Sequence, residues 1–209
     1  MSSDVPWLGL RLREARAARG MSVRALGEAV GVSASMISQI ETGKSRPSVS
    51  TLYAITTALE ISVEDLFVPP TDPGGDEPER SAAPVRLKSG PLVRPDDRSV
   101  LTLDSGVTWE LLGDLPGRPF DFLRMTYPPG AHSSVTGGLM RHAGCEYGLL
   151  LSGELVLTLG FEEFTLRAGD SVSFESSTPH GYRNEGAEPA VGVWFVTEET
   201  HRKIWTAVG

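Results

Sequence analysis

The stretch from Ser22 to Gly43 constrains this chain more than any other. Ser22 suits a helix N-cap, because its hydroxyl can accept a bond from an orphan backbone N–H of the first turn. Leu26 and Val30 follow at helical spacing and mark a face turned to a core. Gly31 stands where that helix must stop, since glycine enters the left-handed conformation without a Cβ clash. Val32 fills the corner and Ser33 caps again. Met36, Ile37 and Ile40 supply the apolar residues of a second helix, and Gly43 closes it. Cap, helix, glycine corner, cap and helix describe two short helices crossing at a tight turn.

The flanks extend this pattern. Leu8, Leu12 and Ala15 repeat at helical spacing in a first helix, with Arg11, Arg13, Arg16 and Arg19 on the rest of its surface. After the pair comes a basic loop, Lys44-Ser45-Arg46-Pro47-Ser48. Ser48 or Ser50 then caps a fourth helix, which lines up Leu52, Ile55 and Leu59. Ser62 to Phe67 reads as a short fifth helix with Glu64 and Asp65 in its first turn, where the helix dipole favours acids.

Residues 6–68 resemble the phage-repressor-like (Cro-type, XRE) DNA-binding domain. The matching words are Leu12-Arg13-Glu14-Ala15-Arg16, Met21 to Leu26, Val30-Gly31-Val32-Ser33, Ile37 to Gly43 and Arg46-Pro47-Ser48, in order and at the family's spacing. The resemblance implies a five-helix, lambda-repressor-like domain with a helix-turn-helix, whose second helix enters the major groove of double-stranded DNA. It offers Ala34, Ser35, Ser38 and Gln39 to base edges. Gln39 is the best reader among them, because a carboxamide can pair bidentately with adenine. Arg24, Ser33, Thr42, Lys44 and Arg46 are the expected phosphate contacts. Such proteins act as two-fold homodimers on palindromic operators.

A net charge of −8 looks wrong for binding DNA until it is divided along the chain. Residues 1–68 carry seven Lys/Arg against seven Asp/Glu, and residues 69–209 carry twelve against twenty. Within residues 1–46 the count is seven against four, a local excess of positive charge. Phosphate neutralisation is local and screened over about 8 Å in physiological salt. The acidic portion must therefore be held away from the duplex. No run of 18 apolar residues appears, the N-terminus lacks a basic start with an apolar segment, and Cys145 is the single cysteine. The expectation is a cytoplasmic protein without a membrane span or internal disulfide.

Residues 69–84 have almost no large apolar side chains and are rich in Pro and Gly, which reads as a flexible linker between a domain at 1–68 and another at 85–209. Beyond it the texture is β. About ten short strands separated by turn signals indicate a sandwich or barrel. Ser152-Gly153, between two apolar strands, reads as a hairpin turn. The tail from Glu198 to Trp205 is compatible with a helix or a last strand.

The strand region resembles a cupin, a double-stranded β-helix or jelly roll. Its first motif is met by His142, then Glu146 after three residues and Gly153 after six more. Its second is met by Gly169-Asp170, His180 and then Asn184 after three. The resemblance implies the ligand set His142, Glu146 and His180, two imidazoles and a carboxylate that leave open positions on one divalent ion (Fe, Zn, Ni or Mn). Met140 stands where the family has a further His. These side chains read equally as polar lining of a small-molecule pocket. Trp109, Phe122, Met140, Tyr147, Asn184 and Trp194 are candidates to line that pocket, with ordinary core as the plainer role. His132 and His201 read as surface residues, and Cys145 as inert packing.

Two functions follow from these resemblances. One is a transcriptional regulator whose cupin half dimerises and binds a small-molecule effector, with no enzymatic activity. The other is a mononuclear non-haem iron enzyme, since His142-Ala143-Gly144-Cys145-Glu146 with His180 resembles the metal set of the hydroxypropylphosphonic acid epoxidase. That enzyme holds its substrate with a lysine from the helical domain, and this chain has no lysine before Lys44. The basic loop and the intact recognition helix favour DNA.

Overall fold

Serine caps set the helices of this chain. The computed structural model describes residues 3–4, 6–67, 92–113 and 120–197. The expected linker at 69–84, His201 and the tail to Trp205 lie outside them. Helix α1 spans Leu8–Ala18, α2 Val23–Val30, α3 Ala34–Glu41 and α4 Val49–Leu59. The Oγ atoms of Ser22, Ser33 and Ser48 accept from the backbone N–H of Ala25, Met36 and Thr51, so each of the last three helices starts on a serine. Gly31 ends α2 in the left-handed conformation, with φ at 74°. Leu12, Leu26, Ile37, Ile40, Leu52, Ile55 and Leu59 form the buried centre of this unit.

The expected fifth helix is a single 3-10 turn, Glu64–Phe67. Ser62 and Asp65 form a reciprocal capping box at its start. The Ser62 N–H donates to Asp65 Oδ2 at 3.0 Å, and the Asp65 N–H donates to Ser62 Oγ at 3.1 Å. Four residues are too few for an α-helical ladder to pass its nucleus, and the turn holds because Leu66 and Phe67 are buried.

Among the described residues ten strands follow the β reading, with one addition. They are β1 (Ser3–Asp4), β2 (Ser99–Thr102), β3 (Thr108–Gly113), β4 (Phe120–Tyr127), β5 (Cys145–Ser152), β6 (Glu154–Leu159), β7 (Glu162–Arg167), β8 (Ser171–Glu175), β9 (His180–Arg183) and β10 (Ala190–Thr197). One sheet has the order β1-β2-β3-β4-β10-β5-β8 and the other β7-β6-β9. Every pairing is antiparallel except the parallel pairing of β1 with β2. The two sheets enclose a core containing Trp109, Leu123, Met125, Leu150, Leu157 and Trp194.

The hairpin expected at Ser152-Gly153 is not formed. β5 lies in the large sheet and β6 in the small one, so the chain crosses between layers there. Gly153 makes the crossing possible, with φ at 76° and its α-carbon so close to Pro189 that a Cβ would lie 2.4 Å from the Pro189 carbonyl oxygen.

The helical unit and the barrel touch directly. The Ser50 N–H, in the first turn of α4, donates to the Ser133 carbonyl at 2.9 Å, and the Asp104 N–H donates to the Pro47 carbonyl at 2.9 Å. Tyr53 of α4 is buried against Trp109 of β3, with ring centroids 5.5 Å apart.

Candidate functional site

Two regions carry chemistry. The first is the outer face of α3. Ile37 and Ile40 turn inward and are buried. Ala34, Ser35, Ser38 and Gln39 are all exposed along the opposite side. Met36, read from the sequence as an apolar helix residue, lies on that outer side and is 42% exposed. Lys44 and Arg46 are exposed on the loop behind α3, and Arg24 is exposed on α2 beside Glu28, 2.9 Å away. Ser33 uses its hydroxyl as the α3 cap, and Thr42 donates its hydroxyl to the Ser38 carbonyl at 2.8 Å. Both therefore hold the ends of α3, and both remain at the surface.

The second is a buried cluster in the barrel, where His142, Glu146 and His180 converge. They come from the loop before β5, from β5 and from β9. Their ligand atoms lie within 4.8 Å of one another. His142 Nε2 is 2.9 Å and His180 Nε2 is 3.0 Å from the same atom, Glu146 Oε1. His180 Nδ1 lies 2.8 Å from the Thr178 carbonyl and His142 Nδ1 lies 3.1 Å from the Ala143 carbonyl. A carbonyl only accepts, so each Nδ1 is the donor, and each ring turns its Nε2 toward the carboxylate. A hydrogen bond from the ring nitrogen that faces away fixes the tautomer that ligates a metal.

The electrostatics tie the three side chains to one another. Burial alone would raise the Glu146 carboxyl, but its contacts with His142 and His180 outweigh that and hold it at about 2. Burial alone would lower His180, and the Glu146 carboxylate outweighs that and raises it. Glu146 Oε2 accepts from the Tyr182 hydroxyl at 2.7 Å, and that hydroxyl accepts from Trp194 Nε1 at 3.1 Å. His180 Nε2 has no aligned hydrogen-bond partner although it is buried. Metal–ligand bonds of about 2.0–2.2 Å place neighbouring ligand atoms roughly 3 Å apart. The observed 2.9 and 3.0 Å separations from Glu146 Oε1 suit such a set.

The sequence-derived pocket residues divide. Trp109 and Trp194 are fully buried in the barrel. Met140 is buried, and its backbone exchanges hydrogen bonds with His180 at 2.8 and 3.0 Å, so it holds a ligand in place. Phe122 and Tyr147 do not line the barrel. They stand on the outer face of the large sheet, 38% and 51% exposed. Strand alternation is the reason: Leu123 and Glu146 point inward, so their neighbours point out. Asn184 does not line a pocket either. Its amide donates to the Tyr127 and Glu188 carbonyls and its oxygen accepts from the Gly186 N–H, so it clamps the β9 turn. His132 is half-buried rather than a free surface residue, and Cys145 is half-buried with its backbone tied to Thr197.

Sequence reasoning missed Tyr182 and Tyr53. Tyr182 follows His180 by two residues on one strand and so shares its face, a signal that was available. Tyr53 had none. It lies on α4 and stacks on His142 with centroids 4.2 Å apart and planes 5° from parallel.

A helix-turn-helix head with an exposed recognition face, joined to a jelly-roll barrel, defines a two-part DNA-binding architecture. Comparison with known proteins agrees. The family model described as Helix-turn-helix matches residues 12–66, and that described as Cupin domain matches residues 123–196. The HTH-type transcriptional regulator PuuR of Escherichia coli (strain K12) is 32% identical over 180 residues, covering 86% of this chain and 88% of that protein. The HTH-type transcriptional regulator SutR of the same organism is 29% identical over 191 residues, 90% of this chain and 93% of that protein. The crystal structure of an HTH_3 family transcriptional regulator from Vibrio cholerae shares the fold, with a TM-score of 0.63 at 24% identity over 94% of this chain and 97% of that one. The chain belongs to the family of helix-turn-helix transcriptional regulators that carry a C-terminal cupin domain. Among the described residues no helix is long and apolar enough to cross a membrane.

Proposed function

We propose that this regulator binds a palindromic operator as a homodimer and that its cupin half, bounded by the helical domain at 1–68 and the linker at 69–84, answers to a small-molecule effector. The observation that carries the reading is the exposed row Ala34, Ser35, Ser38 and Gln39 on α3, opposite the buried pair Ile37 and Ile40. Gln39 reads a base edge, while Arg24, Ser33, Thr42, Lys44 and Arg46 set register on phosphates. The test is fluorescence anisotropy against DNA from upstream of its own gene, with scrambled DNA beside it, over a salt series. Preferential binding that weakens steeply with salt supports the reading. Equal binding to both DNAs at every salt concentration rejects it.

His142, Glu146 and His180 hold one divalent ion. The support is the convergence of both Nε2 atoms on one carboxylate oxygen, with each Nδ1 turned to a backbone carbonyl. The ion shapes an effector pocket or serves as the effector. The iron-enzyme reading of the same triad is not favoured, because the family relatives are regulators and the helical unit offers no lysine before Lys44.

The second copy docks on the outer face of the large sheet. Phe122, Phe195 and Tyr147 lie in one cross-strand row on β4, β10 and β5, and Leu149 and Leu151 continue that face along β5. A row of large apolar side chains facing water marks an interaction surface, and a two-fold operator calls for a self-complementary one.

A further inference from the structure

Helix α4 reaches the triad by two separate routes. The first is a ring contact. Tyr53 lies flat on His142, one of the three candidate ligands, and also packs against Trp109 at a tilt. The second is a hydrogen-bond path. The Ser50 N–H donates to the Ser133 carbonyl, and Ser133 is clamped to Tyr182 from both sides. The Ser133 N–H donates to the Tyr182 carbonyl at 2.9 Å, and the Tyr182 N–H donates to Ser133 Oγ at 2.9 Å. The Tyr182 hydroxyl then bonds Glu146. One turn of α4 thus touches the imidazole of one ligand and, through two residues, the carboxylate of another.

That turn belongs to the DNA-binding unit. Ser48, the α4 cap, directly follows the Lys44–Pro47 loop behind the recognition helix. Leu52 and Ile55 of α4 share the buried core with Ile37 and Ile40 of α3. A shift of α4 on the barrel reaches α3 through α2, against which both helices pack.

Among the described residues the buried Tyr53 hydroxyl has no hydrogen-bond partner, and what Tyr53 presents to His142 is the face of its ring.

We infer that Tyr53 is a positioning residue that couples divalent-ion occupancy of the His142–Glu146–His180 triad to the docking of the DNA-binding unit on the barrel. The inference rests on the triad holding an ion. A ligated imidazole is fixed in orientation, so the ion favours the pose in which Tyr53 can stack on it. Docking in turn favours the ligating orientation of His142. Linkage makes the two effects equal, so docking must tighten ion binding by the factor by which the ion tightens docking. The operator-binding geometry of two such heads then depends on the ion through α4.

The test uses the full chain with Zn2+ alone and Mn2+ alone, and reads ion affinity by calorimetry together with amide hydrogen exchange in α4. In the wild type, the ion is expected to slow exchange across Val49–Leu59, with the Ser50 amide among the slowed. Tyr53→Phe keeps the ring and should match the wild type in both readouts. Tyr53→Leu should bind the ion about 10-fold more weakly, the size of loss usual when an outer-shell partner of a metal ligand is removed. It should also lose the ion-dependent slowing. Ion binding to the wild type without any change in α4 exchange would overturn the coupling and leave the metal site standing, and this arm needs no variant to fold. Unchanged affinity in Tyr53→Leu would overturn it too. No ion binding to the wild type would remove the metal site and the coupling together.

Discussion

Arg16 grips Glu41 with two parallel bonds, Nε to Oε1 at 2.6 Å and Nη2 to Oε2 at 2.8 Å, and so ties α1 to the last residue of the recognition helix. Its remaining Nη1 donates to the Met21 carbonyl at 2.8 Å, at the entrance to α2. One guanidinium therefore holds three helices in register. The two side chains are 13% and 6% exposed, so water screens the pair little.

Arg16→Ala should lower the stability of the helical unit by about 2 kcal/mol, the range for hydrogen bonds to charged groups. Arg16→Lys should recover only part of it, because an ammonium cannot make the paired contact. Urea unfolding followed by helical circular dichroism measures both. Equal stability of wild type and Arg16→Ala would show that the pair contributes nothing net.

Gly148 and Trp194 are register partners on β5 and β10. A Cβ on Gly148 would lie 2.6 Å from the indole of Trp194. Gly148→Ala should therefore destabilise the barrel by about 1–3 kcal/mol through overpacking. Gly138→Ala is the control, since its new methyl would meet nothing closer than Thr136 Oγ1 at 3.6 Å. Thermal unfolding read by tryptophan fluorescence separates the two.

Gln39→Ala should cost specific operator binding about 1–3 kcal/mol and leave binding to scrambled DNA unchanged. Lys44→Ala should weaken both alike and reduce the salt slope by about one. Equal loss on both DNAs in Gln39→Ala would remove Gln39 as a base reader.

Protein prepared without chelator should carry about one metal ion per chain, as expected for a single three-ligand site. His180→Ala and Glu146→Gln should lose it. Elemental analysis of the three proteins decides, and metal-free wild type would retire the ion.

Leu149→Asp and Leu151→Asp place a charge on the outer face of β5, where the native side chains are 42% and 50% exposed. Each should shift a dimer to a monomer in sedimentation while keeping the fold. A dimer that survives both substitutions would move the interface elsewhere.

The helices were legible because capping is local chemistry: Ser22, Ser33 and Ser48 each bond an amide three residues on. The convergence of His142, Glu146 and His180 was expected only through the cupin resemblance, in which three residues separate His142 from Glu146 and three separate His180 from Asn184. The sides of the strands were misread at Phe122 and Tyr147, although the period of two fixes them once Glu146 is turned inward. The crossing at Gly153 was misread because a tight glycine turn looks the same from sequence whether it joins neighbours in one sheet or passes between two. Tyr53 on His142 was not legible at all. It joins residues far apart in the chain, and nothing near either one announces the other.

The parallel pairing of β1 with β2 changes what the head can do. Ser3 and Asp4 lie beside Ser99 and Val100 on the large sheet, so the chain is already seated in the barrel's own layer before the helical unit begins. The head is moored there and again where the Ser50 N–H meets the Ser133 carbonyl. A body held at two points passes on a change at the barrel that a single tether would absorb.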